Sequence, residues 1–207
     1  MSEEQTQQTE TNENNSSLEY KTSENAKKGV ADILAADSED ESLRKYKESL
    51  LGAAAAGDLG DPNDPRRIIV TEFRVKFEET ENRPDIIYNL DSPEGLARLA
   101  ANGVSIKEGV KYKFVISFRV QHEIVAGLKY CQKLSKAIFS ENDEIMIGSY
   151  PPASVPHVFE FPRHYYQEAP KGMMFRGRYH AQNQFIDSDG VNHLEFRYDI
   201  NITKNWE

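Results

Sequence analysis

Residues 107 to 130 read KEGVKYKFVISFRVQHEIVAGLKY, and within them Val110, Tyr112, Phe114, Ile116, Phe118 and Val120 alternate without a miss against Lys111, Lys113, Ser117 and Arg119. A helix would scatter these apolar side chains around its axis, whereas an extended chain places them all on one side. The run therefore predicts one long half-buried strand, which needs a second layer to cover its apolar face. The same alternation returns at Ile69, Thr71, Phe73, Val75 and Phe77, across Met173 to Ile186, and at Leu194, Phe196, Tyr198, Ile200 and Ile202 against His193, Glu195, Arg197, Asp199 and Asn201. Several strands separated by turn signals point to a β-sandwich. Ser92 to Ala101 is the one helix-like piece in this region, and the chain carries no internal repeat.

The first quarter of the chain has a different character. Residues 1 to 50 hold 12 acidic and 6 basic side chains, so this segment carries six of the nine net negative charges, and it includes the polar run SEEQTQQTETNENNSS. Such a segment buries too little apolar area to offset its conformational entropy, and is expected to be disordered when alone. Two short helices are legible inside it. The first runs from about Asn25 to Ala35 with Val30, Ile33 and Leu34 on one side, weakened by Gly29. The second has Ser38 and Glu41 at capping-box spacing, a stripe of Leu43, Tyr46 and Leu50, and Gly52 at the position of a C-cap. Helices of this length are marginal in water, so their stripes require a partner surface. AAAAGDLGDPNDP then reads as a linker closing near Pro65. The expected division is an acidic arm over 1–65 and a sandwich over 66–207.

Composition narrows the function. The first residues have no basic and apolar leader, and no run approaches the roughly 18 apolar residues of a membrane span; mean hydropathy is -0.68. A single cysteine, Cys131, precludes an intramolecular disulfide and fits a reducing cytoplasm. A net charge of -9 disfavours nucleic acid and favours basic partners. DSDG at 187–190 begins like a calcium loop but lacks the later ligands, so Asp189-Gly190 reads as a hairpin turn. His180 and His193 lack metal-ligand spacing, and neither a nucleophile elbow nor a phosphate loop is present. No catalytic constellation, metal site or cofactor is expected.

The arm sequence EDESLRKYKESLLG, the strand KEGVKYKFVISFRVQHEIVAGLKY, SYPP at 149–152, EAPKGMMFRGRY followed by FIDSDGVNHLEF, and Trp206 near the end together resemble the Rho GDP-dissociation inhibitor family over residues 38 to 207. QHEI at 121–124 is similar to the fungal members. The resemblance implies an all-β fold, an immunoglobulin-like β-sandwich preceded by a flexible, partly helical N-terminal regulatory arm. It also implies a function: inhibition of GDP dissociation from Rho-family small GTPases, extraction of the prenylated GTPase from membranes, and its transport in soluble, cytoplasmic form as a 1:1 heterodimer with a monomeric inhibitor. On this basis Asp40, Ser42, Tyr46 and Asp189 are expected to contact the GTPase switch regions. Val104, Ile124, Met174, Phe196 and Tyr198 are expected to line a cavity for the geranylgeranyl group.

The residues support the cavity set in part. Phe196 and Tyr198 share the apolar face of the last strand, whereas strict alternation groups Met173, not Met174, with Phe175, Tyr179, Ala181 and Phe185, so a bulge near Gly177 is needed to aim Met174 inward. Phe196 and Tyr198 stand where animal members have tryptophans, and Val104 where they have phenylalanine, which alters pocket volume. Glu78, Glu79, Glu81 and Glu168 are candidates to attract a basic segment ahead of the prenylated cysteine. The rival reading is a general prenyl-binding chaperone without control of nucleotide exchange, against which the arm motif speaks.

Overall fold

The apolar alternation that begins at Val110 forms a strand only as far as Val120. In the computed structural model, which describes residues 29–36, 40–137 and 139–206, the chain then turns through 121–124, with His122 at a φ of 69°. The single long strand expected over 107–130 is thus two strands. The break falls where the apolar pattern lapses: the Gln121 side chain leaves the ladder, accepting from the Asp61 N–H and donating to the Arg66 carbonyl.

One sheet consists of β1 (Ile68–Phe77), β2 (Ile86–Asn89), β4 (Lys111–Val120) and β7 (Ala153–Phe161) in the order β2-β1-β4-β7, with β8 (Gln167–Glu168) also paired to β4. The other runs β3-β10-β9-β5-β6, from β3 (Val104–Lys107), β5 (Val125–Lys136), β6 (Phe139–Tyr150), β9 (Gly177–Ile186) and β10 (Asn192–Thr203). Their pairing is antiparallel except for β3 beside β10. This is the expected sandwich of immunoglobulin type. β9 starts at Gly177 rather than Met173, because residues 172–175 form a turn. β6 and β7 escaped the sequence reading for a physical reason. Both are edge strands, β6 with mostly exposed side chains and β7 with Pro156, whose missing N–H is tolerable only at an edge.

The sheets are joined by aromatic packing. Phe73 on β1, fully buried, has its ring centroid 5.4 Å from Phe114, 6.0 Å from Phe196 and 5.3 Å from Tyr198. The helix expected near Ser92 is α3 (Pro93–Asn102), capped by the Ser92 hydroxyl accepting from Gly95 N, with Leu99 buried. It stops at Gly103, whose positive φ and approach to the Asp199 carbonyl leave no room for a Cβ. Trp206 packs edge-on against Phe77 under the Arg83 guanidinium.

Of the arm, the structure shows α1 (Val30–Ala35) and α2 (Glu41–Leu51); the polar run before them and Ser38 lie outside the described residues. The observed cap of α2 is Asp40, whose carboxylate accepts from Ser42 N at 2.9 Å and Leu43 N at 3.1 Å. Gly52 closes the helix with positive φ, and a 3-10 turn follows over Gly52–Ala56. Val30, Leu51 and Ala54 form a small core with Ile33, Leu34 and Ile124, so the arm is seated on the β4–β5 turn.

Truncating Phe73 removes the packing that spans both sheets. Phe73→Ala is expected to destabilise the sandwich by roughly 3–5 kcal/mol, as large-to-small changes in tight cores do, measured by urea unfolding.

Candidate functional site

A cavity of about 710 Å³ opens between the sheets at the end of the sandwich away from the arm, within the roughly 300–1,000 Å³ typical of small-molecule sites. Tyr112, Phe114 and Phe161 line it from one sheet; Leu134, Tyr179 and Ile200 line it from the other. The alternation that buries Tyr112 and Phe114 is the same one that marked β4 in the sequence. Burial pushes the Tyr112 phenol up to about 12. The buried polar residue of the cavity lining, Gln132, is engaged. Gln132 Nε2 donates to the Tyr130 hydroxyl at 3.0 Å and to Asn183 Oδ1 at 2.9 Å, and the Tyr130 hydroxyl donates to the same Asn183 oxygen at 2.6 Å.

The mouth is rimmed by Phe139, Met174 and Phe175. The 172–175 turn is fastened from both sides. Glu108 accepts from Gly172 N at 2.8 Å and from the Arg176 guanidinium at 2.9 and 2.6 Å, which holds the Glu108 carboxyl at about 2. Lys136 Nζ donates to the Met174 and Arg176 carbonyls, and its charge lies 4.7 Å from the Tyr179 ring.

The five residues expected around the isoprenyl group are not gathered on this cavity. Met174 reaches it without any bulge at Gly177: it sits on the turn, 88% exposed, at the mouth. Phe196 and Tyr198 are buried on β10 behind the cavity, in contact with Phe73, which stacks on the lining residue Phe114. Val104 is buried in β3. Ile124 packs with the arm core. Tyr112, Phe114, Leu134, Phe139, Phe161, Tyr179 and Ile200 were missed; alternation marked several of them as inward, but which inward residues face empty space depends on the separation of the sheets.

The expected switch-contact residues occupy the opposite end. Tyr46 is 61% and Leu50 59% exposed on α2, while Leu51 turns inward, so among the described residues nothing covers this apolar face of the helix. Ser42 and Asp40 are exposed at its start. Asp189 is exposed in the β9–β10 turn, as the hairpin reading predicted. The buried Asp187 carboxylate shapes that turn, accepting from Asp189 N and Val191 N on one oxygen and from Arg67 and His193 on the other. Burial holds the His193 imidazole below its ordinary value. Arg67 also pairs with Glu123 of the turn on which the arm is seated. Of the acidic candidates, Glu78 pairs with Lys111 and Glu168 with Lys171.

Cys131 is half-buried on β5, and burial raises its thiol, the opposite of an activated nucleophile. Among the described residues no group of three or more His, Cys, Asp and Glu side chains is placed to hold a metal, and no helix is long and apolar enough to cross a membrane.

The Tyr198 hydroxyl is fully buried beside Gln132, whose Nε2 is committed to Tyr130 and Asn183, and it makes no hydrogen bond of good geometry. An unpaired buried hydroxyl costs about 1–3 kcal/mol. Tyr198→Phe is therefore expected to raise stability by about 1 kcal/mol or more in urea unfolding.

Residues 3–205 match the family described as RHO protein GDP dissociation inhibitor. Rho GDP-dissociation inhibitor 1 of Rattus norvegicus is 38% identical over 199 residues, covering 96% of this chain and 92% of its own. The Rho GDP-dissociation inhibitor of Saccharomyces cerevisiae is 38% identical over 208 residues, covering 99% and 100%, and that of Schizosaccharomyces pombe 34% over 182 residues, covering 87% and 85%. The rat and budding-yeast proteins are equally similar, so overall identity does not separate fungal from animal kinship. A family match over nearly the whole chain and relatives of matching length establish that the chain belongs to the Rho GDP-dissociation inhibitor family.

Proposed function

We propose that the protein restrains GDP release from Rho-family GTPases and carries their prenylated form through the cytosol as a 1:1 complex, gripping the GTPase at both ends of the sandwich. Family membership carries the inhibition of GDP dissociation and the choice of Rho GTPases as partners. The observation that carries the lipid-binding half is the aromatic-lined cavity between the sheets. A geranylgeranyl group enters past Met174 and lies along Tyr112, Leu134 and Tyr179, its far end directed toward Phe196 and Tyr198.

The energetics require two attachments. Burying a twenty-carbon chain at about 0.8 kcal/mol per CH₂ yields on the order of 10 kcal/mol, but a bilayer offers nearly the same. The cavity alone barely shifts the exchange. Contacts of Asp40, Ser42, Tyr46 and Asp189 with the switch regions supply the difference, and they favour the GDP form insofar as they differ between nucleotide states. The exposed Tyr46 and Leu50 face favours this reading over a general prenyl-binding chaperone, which has no use for such an arm.

The two grips lie far apart. The arm is seated where β4 ends, whereas Tyr112 lines the cavity where β4 begins. From Tyr112 to Val120 the strand rise gives roughly 26 Å. The GTPase tail between its globular body and the prenylated cysteine must span that distance along the sandwich, and the free acidic edge of β6, with Glu141 and Asp143 at the cavity, suits a basic tail.

We treat residues 1–65 and 66–207 as separable units. A 66–207 fragment, checked for folding by circular dichroism, is expected to bind a geranylgeranylated peptide while largely losing inhibition of GDP release; full inhibition by the fragment would contradict the two-grip scheme. Tyr46→Ala is expected to weaken binding of the GDP-bound GTPase by about 2 kcal/mol, the scale of an aromatic hot spot, with little change in unfolding midpoint. Unchanged affinity in a nucleotide-release titration would mean that the ring serves no contact.

A further inference from the structure

We propose that the turn carrying Met173, Met174 and Phe175 is a bilayer-contacting tip, which dips into a zwitterionic lipid surface so that the isoprenyl chain passes from membrane to cavity without crossing water. The inference rests on the cavity reading given above and adds a partner surface to it. Three consecutive large apolar residues stand out from the turn, Met173 83% and Met174 88% exposed and Phe175 half exposed, with exposed Phe139 across the mouth. Scattered apolar residues are ordinary on a protein surface, but a contiguous cluster marks an interaction site.

The construction of the turn explains why its apolar side chains point outward. Most of the backbone groups flanking its tip are engaged: Gly172 N with Glu108, Phe175 N with the Gly172 carbonyl, the Met174 and Arg176 carbonyls with Lys136, and the Phe175 carbonyl with the Tyr179 hydroxyl at 2.7 Å. Such a turn presents hydrocarbon to its surroundings, and the backbone groups left at its tip fit the headgroup level, where water still reaches them. The position selects the occupant. The mouth lies at the end of the sandwich opposite the arm and Asp189, so the GTPase body held there does not cover it. A lipid chain leaving a bilayer must pass this rim, and Met174 and Phe175 both rim the mouth and line the cavity, making one continuous apolar path.

Charge selects the kind of bilayer. The cations at the rim are already engaged, Lys171 by Glu168, Arg176 by Glu108 and Lys136 by the Met174 and Arg176 carbonyls, and Glu141 and Asp143 add negative charge. Binding therefore arises from apolar insertion and needs no anionic lipid. Because no long apolar helix accompanies it among the described residues, the insertion is shallow and reversible.

Met173 is the residue to vary, since it is exposed on the tip but does not line the cavity. The full chain carrying Met173→Ser is expected to extract a geranylgeranylated Rho-family GTPase from phosphatidylcholine vesicles on the order of tenfold more slowly, because a smaller apolar surface then enters the lipid. It should bind a geranylgeranylated peptide in solution as wild type does, and Met173→Leu should restore the rate. In a Trp206→Phe background, Met173→Trp should shift its emission to the blue on phosphatidylcholine vesicles and be quenched by lipids brominated on the acyl chain, with phosphatidylserine adding little. Absence of both quenching and slowed extraction would overturn the proposal, as would dependence on phosphatidylserine, or weakened binding of the unprenylated GTPase by Met173→Ser, which would make the tip a protein-binding surface. Failure of the wild-type chain to bind the prenylated peptide would instead refute the cavity reading itself.

Discussion

The packing of Phe73 against Phe114, Phe196 and Tyr198 is the interaction on which the rest of the structure depends. It draws β1 and β4 of one sheet onto β10 of the other and closes the middle of the sandwich. Toward the far end β4 supplies Tyr112 and Phe114, β5 supplies Gln132 and Leu134, and β6 supplies acidic residues that do not fill the gap, so the sheets enclose a cavity rather than a core. Tyr130 and Asn183 behind the lining engage the buried Gln132 amide, so its donors do not call for water inside the cavity. A buried wall with unmet donors would have favoured water over hydrocarbon.

The opposite end of the sandwich couples three features that a GTPase would meet together. Ile124 on the β4–β5 turn receives the arm core, Glu123 of the same turn pairs with Arg67, and Arg67 pairs with Asp187 at the base of the turn that exposes Asp189. The arm seat and the Asp189 turn are thus joined through a charge network whose central carboxylate is buried. Holding Asp40, Ser42, Tyr46 and Asp189 on connected supports would limit the entropy lost in the engagement proposed for them. The cavity mouth, at the far end, is fastened by a separate pair of anchors, Glu108 and Lys136. In the proposed scheme, lipid capture and nucleotide control would draw on different residues of one scaffold.

Much of this was legible in the chain. Period-two alternation identified β1, β4, β9 and β10. The turn at Asp189-Gly190 and the stop at Gly52 followed from backbone requirements, which are local and so visible in sequence. The Ser38 cap did not, because two acceptors lie within two residues and the structure uses Asp40. β6 and β7 were hidden because edge strands need bury little and tolerate proline. The cavity lining was the least legible part. Alternation says that Phe114, Phe196 and Tyr198 all point inward, but whether an inward residue meets another side chain or empty space depends on residues far away in sequence. Hence Met174 was expected on a strand and stands on a turn, and Ile124, expected in the pocket, meets the arm.

The central claim is that the isoprenyl group of a bound GTPase occupies the cavity between the sheets. Its most direct test is photocrosslinking from a benzophenone-bearing isoprenoid on a Rho-family GTPase in complex with the full chain, followed by mapping of the modified residues. The account predicts labelling of Tyr112, Leu134, Phe139 and Tyr179, competed away by a geranylgeranylated peptide. Labelling confined to Ile124 and the arm helices, or to the outer faces of the sheets, would contradict it.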